Sequence, residues 1–392
     1  MQITRVEVHR VNLPLVAGYR WASGVYFGAT KGIVEIHTDE GLIGLGEVAT
    51  VENAEIVERD FAPRLIGVDP LHLDDCERRC LPEIRTLHNT HDAGLVRAFG
   101  GVEIALWDLK GKALGVPVYA LWGGPVRHEI GFSEYFALRV PGAHEAGEAT
   151  PLAVARYCAR MRETHGSTLF EGKVGVLDLD TEIAMVREVR AAIGPDATLR
   201  LDANYAWPLN TARRALARLE PYNIANIEDP ASTFFDMAKL RQHSAIPFSS
   251  HRPDLRLAVE LGVPDTFVLN VTALGGLRET LKFIAACEAL GVGFWFYSGE
   301  TAVGTAAYMQ LAAALPYLSQ PGQSLLRWYA DDVTAALIQP RANRVAIPDG
   351  PGLGVTLDPV ALKRCMDRFD REGVISQLGD PALAHYRRFE TQ

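Results

Sequence analysis

Six short apolar runs in the second and third quarters of the chain each lead to a side chain that can do chemistry. In order these are Lys173 in Glu171-Gly172-Lys173, Asp202 in Leu201-Asp202-Ala203-Asn204, and Glu228 in Ile227-Glu228-Asp229-Pro230. His251 and Arg252 follow in Ser249-Ser250-His251-Arg252-Pro253-Asp254, then Asn270 after Phe267-Val268-Leu269, and Tyr297 after Phe294-Trp295-Phe296. A single carboxylate after a strand is usually the N-cap of the next helix. Two in successive units, at the same strand end, converge on one point and make a hard-cation site. Mg²⁺ suits it, because that ion takes few protein carboxylates and keeps places for water and substrate oxygens. His251 is the expected third ligand. Its nitrogen is softer than an oxygen, so Mn²⁺ or another divalent ion competes with Mg²⁺ there. Lys173 becomes a general base if nearby positive charge or burial favours the neutral amine. Glu171, two residues earlier on the same strand face, is expected at the barrel mouth beside it. The competing reading is an ion pair between the two. Arg252 forks onto a substrate carboxylate or pairs with Asp254. Asn270 is neutral and binds rather than abstracts. Tyr297 can donate a hydrogen bond or act as an acid.

These residues need a scaffold that brings successive strand ends to one place. Between the apolar runs lie amphipathic stretches at helical spacing, including 151–164, 181–193, 209–219, 236–243, 255–261, 277–290 and 304–315. Repeated βα units mean a parallel sheet covered by helices. The polar strand exits at 173, 202, 228, 251, 270 and 297 are separated by 29, 26, 23, 19 and 27 residues. A TIM barrel spends about 30 residues on each unit. A doubly wound sheet shows similar steps but gathers its chemistry at one switch point, not at six strand ends. Residues 324–328 are the candidate last strand.

Before residue 125 the texture differs. Residues 2–13 alternate as a strand, and 32–38 and 42–48 flank Asp39-Glu40-Gly41 as a hairpin. Ala17–Thr30, rich in Gly and aromatics, reads as a long loop able to close over a substrate, with Gly24 and Gly28 as hinges. Residues 53–124 read as helices, the clearest over Ala93–Leu114. With 392 residues, 48% hydrophobic and 22% charged, the chain is neither disordered nor a disulfide scaffold. Its net charge of −9 gives no attraction for nucleic acid or anionic lipid. Five cysteines without zinc or redox spacing read as buried thiols in a reducing compartment. No apolar leader and no membrane span are visible, so a cytoplasmic location is expected.

The chain resembles the enolase superfamily, and within it the acid-sugar dehydratases of the glucarate dehydratase and mandelate racemase type. The matching motifs are Gly44-Leu45-Gly46-Glu47, Ala105-Leu106-Trp107-Asp108-Leu109, Asp202-Ala203-Asn204, Glu228-Asp229-Pro230, Gly275-Gly276 and Pro351-Gly352-Leu353-Gly354-Val355. Lys173-Val174-Gly175, Tyr135 and Trp328-Tyr329-Ala330-Asp331-Asp332-Val333 point to the dehydratase branch. The resemblance implies an α/β fold: a modified TIM barrel, (β/α)7β, over 126–336. An α+β capping domain would be built from 1–125 and completed by 337–392.

It also implies a Mg²⁺-dependent lyase. A cation holds a substrate carboxylate, a base removes the α-proton, the β-hydroxyl leaves, and a 2-keto-3-deoxy acid results. The residues expected to carry this are Lys173 as base, with Asn204, Tyr135 and Tyr297 at the reacting atoms. Asp202, Glu228 and His251 would hold the metal, and Arg252, Asn270 and Tyr26 the substrate. The expected partners are a small-molecule sugar acid and further copies of the chain in a homo-oligomer, with no nucleic acid and no membrane. Three departures stand out. Glu171 replaces the first Lys of the branch's Lys-x-Lys, His251 falls where Asn is usual, and Asn270 and Tyr297 replace its Asp–His dyad. The alternative is therefore a divergent homologue that binds acid sugars without dehydrating them.

Overall fold

The computed structural model describes residues 1–83, 90–297, 301–318 and 320–376. Ser298, Gly299 and Glu300, which follow Tyr297, lie outside them. The chain opens with three antiparallel strands, β1 (Ile3–Trp21), β2 (Gly24–Thr38) and β3 (Ile43–Val48), followed by helices α1 (Val51–Ile56), α2 (Ala62–Leu65), α3 (Leu73–Cys80) and α4 (Thr90–Leu114). Strands β4 (Glu129–Gly131), β5 (Glu134–Phe136) and β6 (Arg139–Val140) lead into the alternating part. That part runs α5 (Pro151–His165), β7 (Leu169–Lys173), α6 (Leu179–Ile193), β8 (Thr198–Asp202), α7 (Leu209–Leu219), β9 (Asn226–Glu228) and α8 (Phe234–Arg241). It continues with β10 (Phe248–Ser250), α9 (Leu255–Leu261), β11 (Thr266–Leu269), α10 (Leu277–Leu290), β12 (Gly293–Phe296) and α11 (Ala302–Ala314). Strand β13 (Arg344–Ala346), antiparallel to β4, and helix α12 (Pro359–Glu372) close the described chain.

Seven strands form one sheet in the order β12-β11-β10-β9-β8-β7-β5, every neighbour parallel. Its two edges are joined by an irregular segment. Gly322 donates to Gly131 O at 3.0 Å and accepts from Ser133 N at 2.8 Å, while Gln323 N donates to Phe296 O at 2.8 Å. This closes the modified TIM barrel. The expected last strand at 324–328 is not one, because the chain turns after Ser324 into the 3₁₀ segment Leu326–Trp328. The closing contact is made two residues earlier, where Pro321-Gly322 allows only a short crossing.

The Ala17–Thr30 loop is likewise corrected. Those residues continue β1 and β2 as a hairpin whose register pairs Tyr19 with Tyr26 and Trp21 with Gly24. Gly28 is not a hinge. It pairs with Pro14, and a Cβ there would sit 2.4 Å from Leu13 O, so glycine serves the close approach of two strands. The aromatics that suggested a loop are buried or half-buried on this hairpin, with the Tyr19 and Tyr26 rings 5.3 Å apart.

The short motifs have structural explanations. A Cβ on Gly46 would lie 2.0 Å from Gly101 O, so Gly44-Leu45-Gly46 lets β3 press directly on α4. Asp108 on α4 is fully buried. It accepts from Leu45 N at 2.8 Å, Leu353 N at 2.7 Å and Lys112 Nζ at 2.6 Å, joining the N-terminal sheet to the Pro351–Gly354 turn. Two further buried glutamates tie this layer to the barrel. Glu47 accepts from Thr301 N and Oγ1 at the start of α11. Glu103 accepts from Leu277 N at 2.7 Å and Arg278 N at 3.1 Å at the start of α10. Each satisfies helix N–H groups that would otherwise be orphaned. The five cysteines are free and buried. Among the described residues no helix is long and apolar enough to cross a membrane.

Candidate active site

The parallel register decides which side chains share a level. Lys173 pairs with Asp202, and Asp202 with Glu228, across β7, β8 and β9. All three end their strands, so their side chains reach the C-terminal rim together. One level down, Tyr135, Glu171 and Arg200 are register neighbours.

At the rim, Lys173 Nζ forms an ion pair with Asp202 Oδ2. Asn204 donates from its backbone N to Asp202 Oδ1 at 2.9 Å and from Nδ2 to Oδ2 at 3.1 Å. Tyr135 Oη lies 3.5 Å from the same Oδ2. This local geometry needs left-handed backbone at two consecutive residues, Asn204 (φ 44°) and Tyr205 (φ 59°). Asn tolerates that region and Tyr resists it, so the turn stores strain beside the carboxylates.

Asp202, Glu228 and His251 each offer a ligand atom, all within 4.8 Å of one another. Both carboxylates are fully buried. Glu228 Oε1 is 2.5 Å from His251 Nε2. His251 Nδ1 lies 2.7 Å from Val268 O, a carbonyl that can only accept, so Nδ1 carries a hydrogen and Nε2 turns inward. Burial opposes a charge on His251, but Glu228 with Asp229 and Asp202 outweighs it and pushes the imidazole up to about 10. Burial first, then repulsion from Asp202, pushes Glu228 up to about 7. Two buried carboxylates side by side, with a proton between Glu228 and His251, make a donor set a divalent cation satisfies by displacing that proton. The residues present fit the group.

These side chains open into a cavity of about 480 Å³. Its walls include Lys173, Asn204, His251, Asn270, Tyr297 and Tyr135 from the barrel, and Tyr19, Trp21, Tyr26 and Lys31 from the hairpin. Asn270 Oδ1 accepts from Ala273 N at 2.8 Å and Thr272 Oγ1 at 3.0 Å, which orients Nδ2 to donate to Tyr297 Oη at 3.1 Å. The Tyr297 and His251 rings meet edge to face at 4.7 Å.

The structure thus brings together Lys173, Asn204, Tyr135, Tyr297, Asp202, Glu228, His251, Asn270 and Tyr26. It leaves out Arg252. The residue after His251 is exposed and does not line the cavity. Asp254 is the N-cap of α9, accepting from Leu257 N at 3.1 Å. Glu171 is not at the mouth either. It lies inside the barrel at 1% exposure, 3.9 Å from Arg200. Sequence reasoning missed Gln323, whose Nε2 donates to both Glu171 and Glu228. It sits on the irregular closing segment, where no periodicity marks it. Lys31 and Tyr19 were not named among the site residues, although Tyr26 on the same hairpin was; the pairing of β1 with β2 brings all three to the cavity.

Comparison with known proteins agrees with this architecture. Residues 3–123 match the mandelate racemase / muconate lactonizing enzyme N-terminal domain, and residues 153–361 the enolase C-terminal domain-like family. A Streptomyces coelicolor protein named as a probable glucarate dehydratase is 30% identical over 89% of this chain and 88% of its own. A chloromuconate cycloisomerase from Pseudomonas putida is 28% identical over 93% of this chain and 98% of its own. Among solved structures, an enolase from Pseudomonas fluorescens with bound magnesium, potassium and tartrate superposes with a TM-score of 0.89 at 26% identity, covering 99% of this chain and 98% of that one. With barrel, cap and rim carboxylates all in place, the chain belongs to the enolase superfamily, whose relatives here are named both as dehydratases and as cycloisomerases.

Proposed function

We propose that this protein is a Mg²⁺-dependent dehydratase of a sugar acid. The observation that carries the reading is one cavity walled by Lys173 and His251, which pair with the buried Asp202 and Glu228, and otherwise rich in hydroxyls and amides. A polyhydroxylated acid finds partners there that a flat, apolar acid leaves unpaired. Asp202, Glu228 and His251 would hold the ion, which supplies positive charge where the substrate carboxylate gathers negative charge. The magnesium-bound relative supports that choice of ion.

Once released from its ion pair with Asp202 and freed of its own proton, Lys173 Nζ takes the α-proton, and the C–H electron pair forms the new double bond as the β-hydroxyl leaves. The departing hydroxyl needs a proton. Tyr297, whose oxygen accepts from Asn270, presents its O–H as the donor, with His251 in edge contact. The enol then tautomerises to a 2-keto-3-deoxy acid. Asn204 and Tyr135 hold Asp202 and face the same cavity, so they position the reacting end. With Asn270 and Tyr297 forming a neutral pair, Lys173 acts from one side only, which favours dehydration over racemisation.

The test is a screen of mono- and di-acid sugars with Mg²⁺, reading keto acid as its semicarbazone, with cis,cis-muconate as a parallel substrate. Keto-acid formation supports the proposal. Turnover of muconate alone makes the protein a cycloisomerase, and saturable binding without any turnover makes it a binder.

A further inference from the structure

At the opposite end of the barrel lies a second cavity of about 390 Å³, walled by the strand starts at Thr168 and Thr198, by β4, and by the Gln320–Gly322 crossing. Five residues of extended chain, about 16 Å, separate Thr168 from Lys173. The two cavities therefore occupy opposite faces of the sheet's strand ends. Nothing in the proposed reaction uses the lower one.

Its charge is unusual for a chain with net charge −9. Arg127, Arg200 and Arg344 line it, and Glu129 is the acidic residue in its wall. Arg127 spends its guanidinium on the carbonyls of Ala312, Leu315 and Pro316 and so stands as a fixed positive charge. Arg200 is 4% exposed, donates to Pro321 O at 2.9 Å, and is offset by Glu171 at 3.9 Å. Arg344 is exposed at the rim and makes no ion pair among the described residues. Three guanidinium groups against two carboxylates leave one positive charge. The rest of the wall mixes the apolar Ile130, Leu169, Phe296 and Leu318 with the polar Thr168, Thr198, Gln320 and Asn343. Arg200 stacks 4.1 Å over the Trp295 ring, whose indole nitrogen is buried without an acceptor among the described residues. A volume of this size falls within the range of small-molecule sites.

We infer that this lower cavity binds a small organic monoanion, its carboxylate at Arg344 and its apolar body against Phe296 and Leu318. The single surplus charge matches one carboxylate, and Phe296 with Leu318 offers an apolar contact that an organic acid uses and a hydrated inorganic ion does not. The inference is independent of the reaction at the upper cavity.

Benzoate is the probe, titrated into the full chain held metal-free with EDTA and labelled with ¹⁵N at its tryptophans. The Trp295 indole resonance is assigned by its loss in Trp295→Phe. A saturable shift of that resonance is expected, at least tenfold weaker in Arg344→Ala and unchanged in Lys173→Met. No shift at Trp295 overturns the site. A shift undiminished in Arg344→Ala places the acid elsewhere and also overturns it. An equal response to inorganic phosphate overturns the assignment to an organic acid.

Discussion

Gln323 holds Glu228 from inside the barrel, its amide nitrogen donating to Glu228 Oε2 and to Glu171 Oε1. An amide NH₂ has two hydrogens, so both are spent between two buried carboxylates. The residue fixes one candidate metal ligand while keeping Glu171 from repelling it. Replacing it by Leu leaves both acids without that donor. Gln323→Leu is expected to lose about 1–3 kcal/mol of stability in urea unfolding and roughly 10–100-fold in Mg²⁺ affinity. Unchanged affinity by calorimetry would show that Glu228 orients itself.

Asp202 is surrounded by Lys173, Asn204 and Tyr135. Asp202→Asn keeps the shape and removes the charge a divalent cation needs. Calorimetric titration with Mg²⁺ is expected to lose most of its heat. Retention of parental affinity removes Asp202 from the metal site.

Lys173→Met is expected to fold and to bind Mg²⁺. It should lose turnover and exchange of the substrate α-proton with deuterium oxide by about 10²–10⁴-fold. Exchange at the parental rate would put the base elsewhere, with Tyr297 and His251 next in line.

Burial pushes Glu103 and Glu182 up to about 7. In the unfolded chain both ionise at ordinary values near 4.5. Between those values the folded state binds more protons than the unfolded state, so stability falls as pH rises from about 4.5 to about 7. In EDTA, the urea midpoint is therefore expected to be lower at pH 8 than at pH 5. Glu182, which accepts from Val176 N at 2.6 Å and Leu177 N at 3.0 Å, is the target for mutation. Glu182→Gln keeps an acceptor and should shrink the drop by roughly 1–3 kcal/mol. A drop of the parental size in the variant would assign the pH dependence to other groups.

The order of elements and the level of the chemical residues were legible in the sequence because both rest on local rules. Strand β11 spans Thr266–Leu269, and helices α7, α9 and α10 span 209–219, 255–261 and 277–290, where the apolar spacing put them. Strand alternation with a common exit also placed Lys173, Asp202 and Glu228 at one rim, since a parallel register carries that exit from strand to strand. What the tertiary structure alone decided concerns residues whose role depends on a partner far along the chain. Gln323 reaches Glu171 across 152 positions and Glu228 across 95. The 17–30 segment became strand because its two halves pair with each other and cover the barrel, which outweighs the glycines that made it look like a loop. Arg252 shows the converse. Its residue type suited a carboxylate, but the backbone leaves β10 after Ser250, so which of the residues that follow faces the cavity is set by the turn and not by alternation.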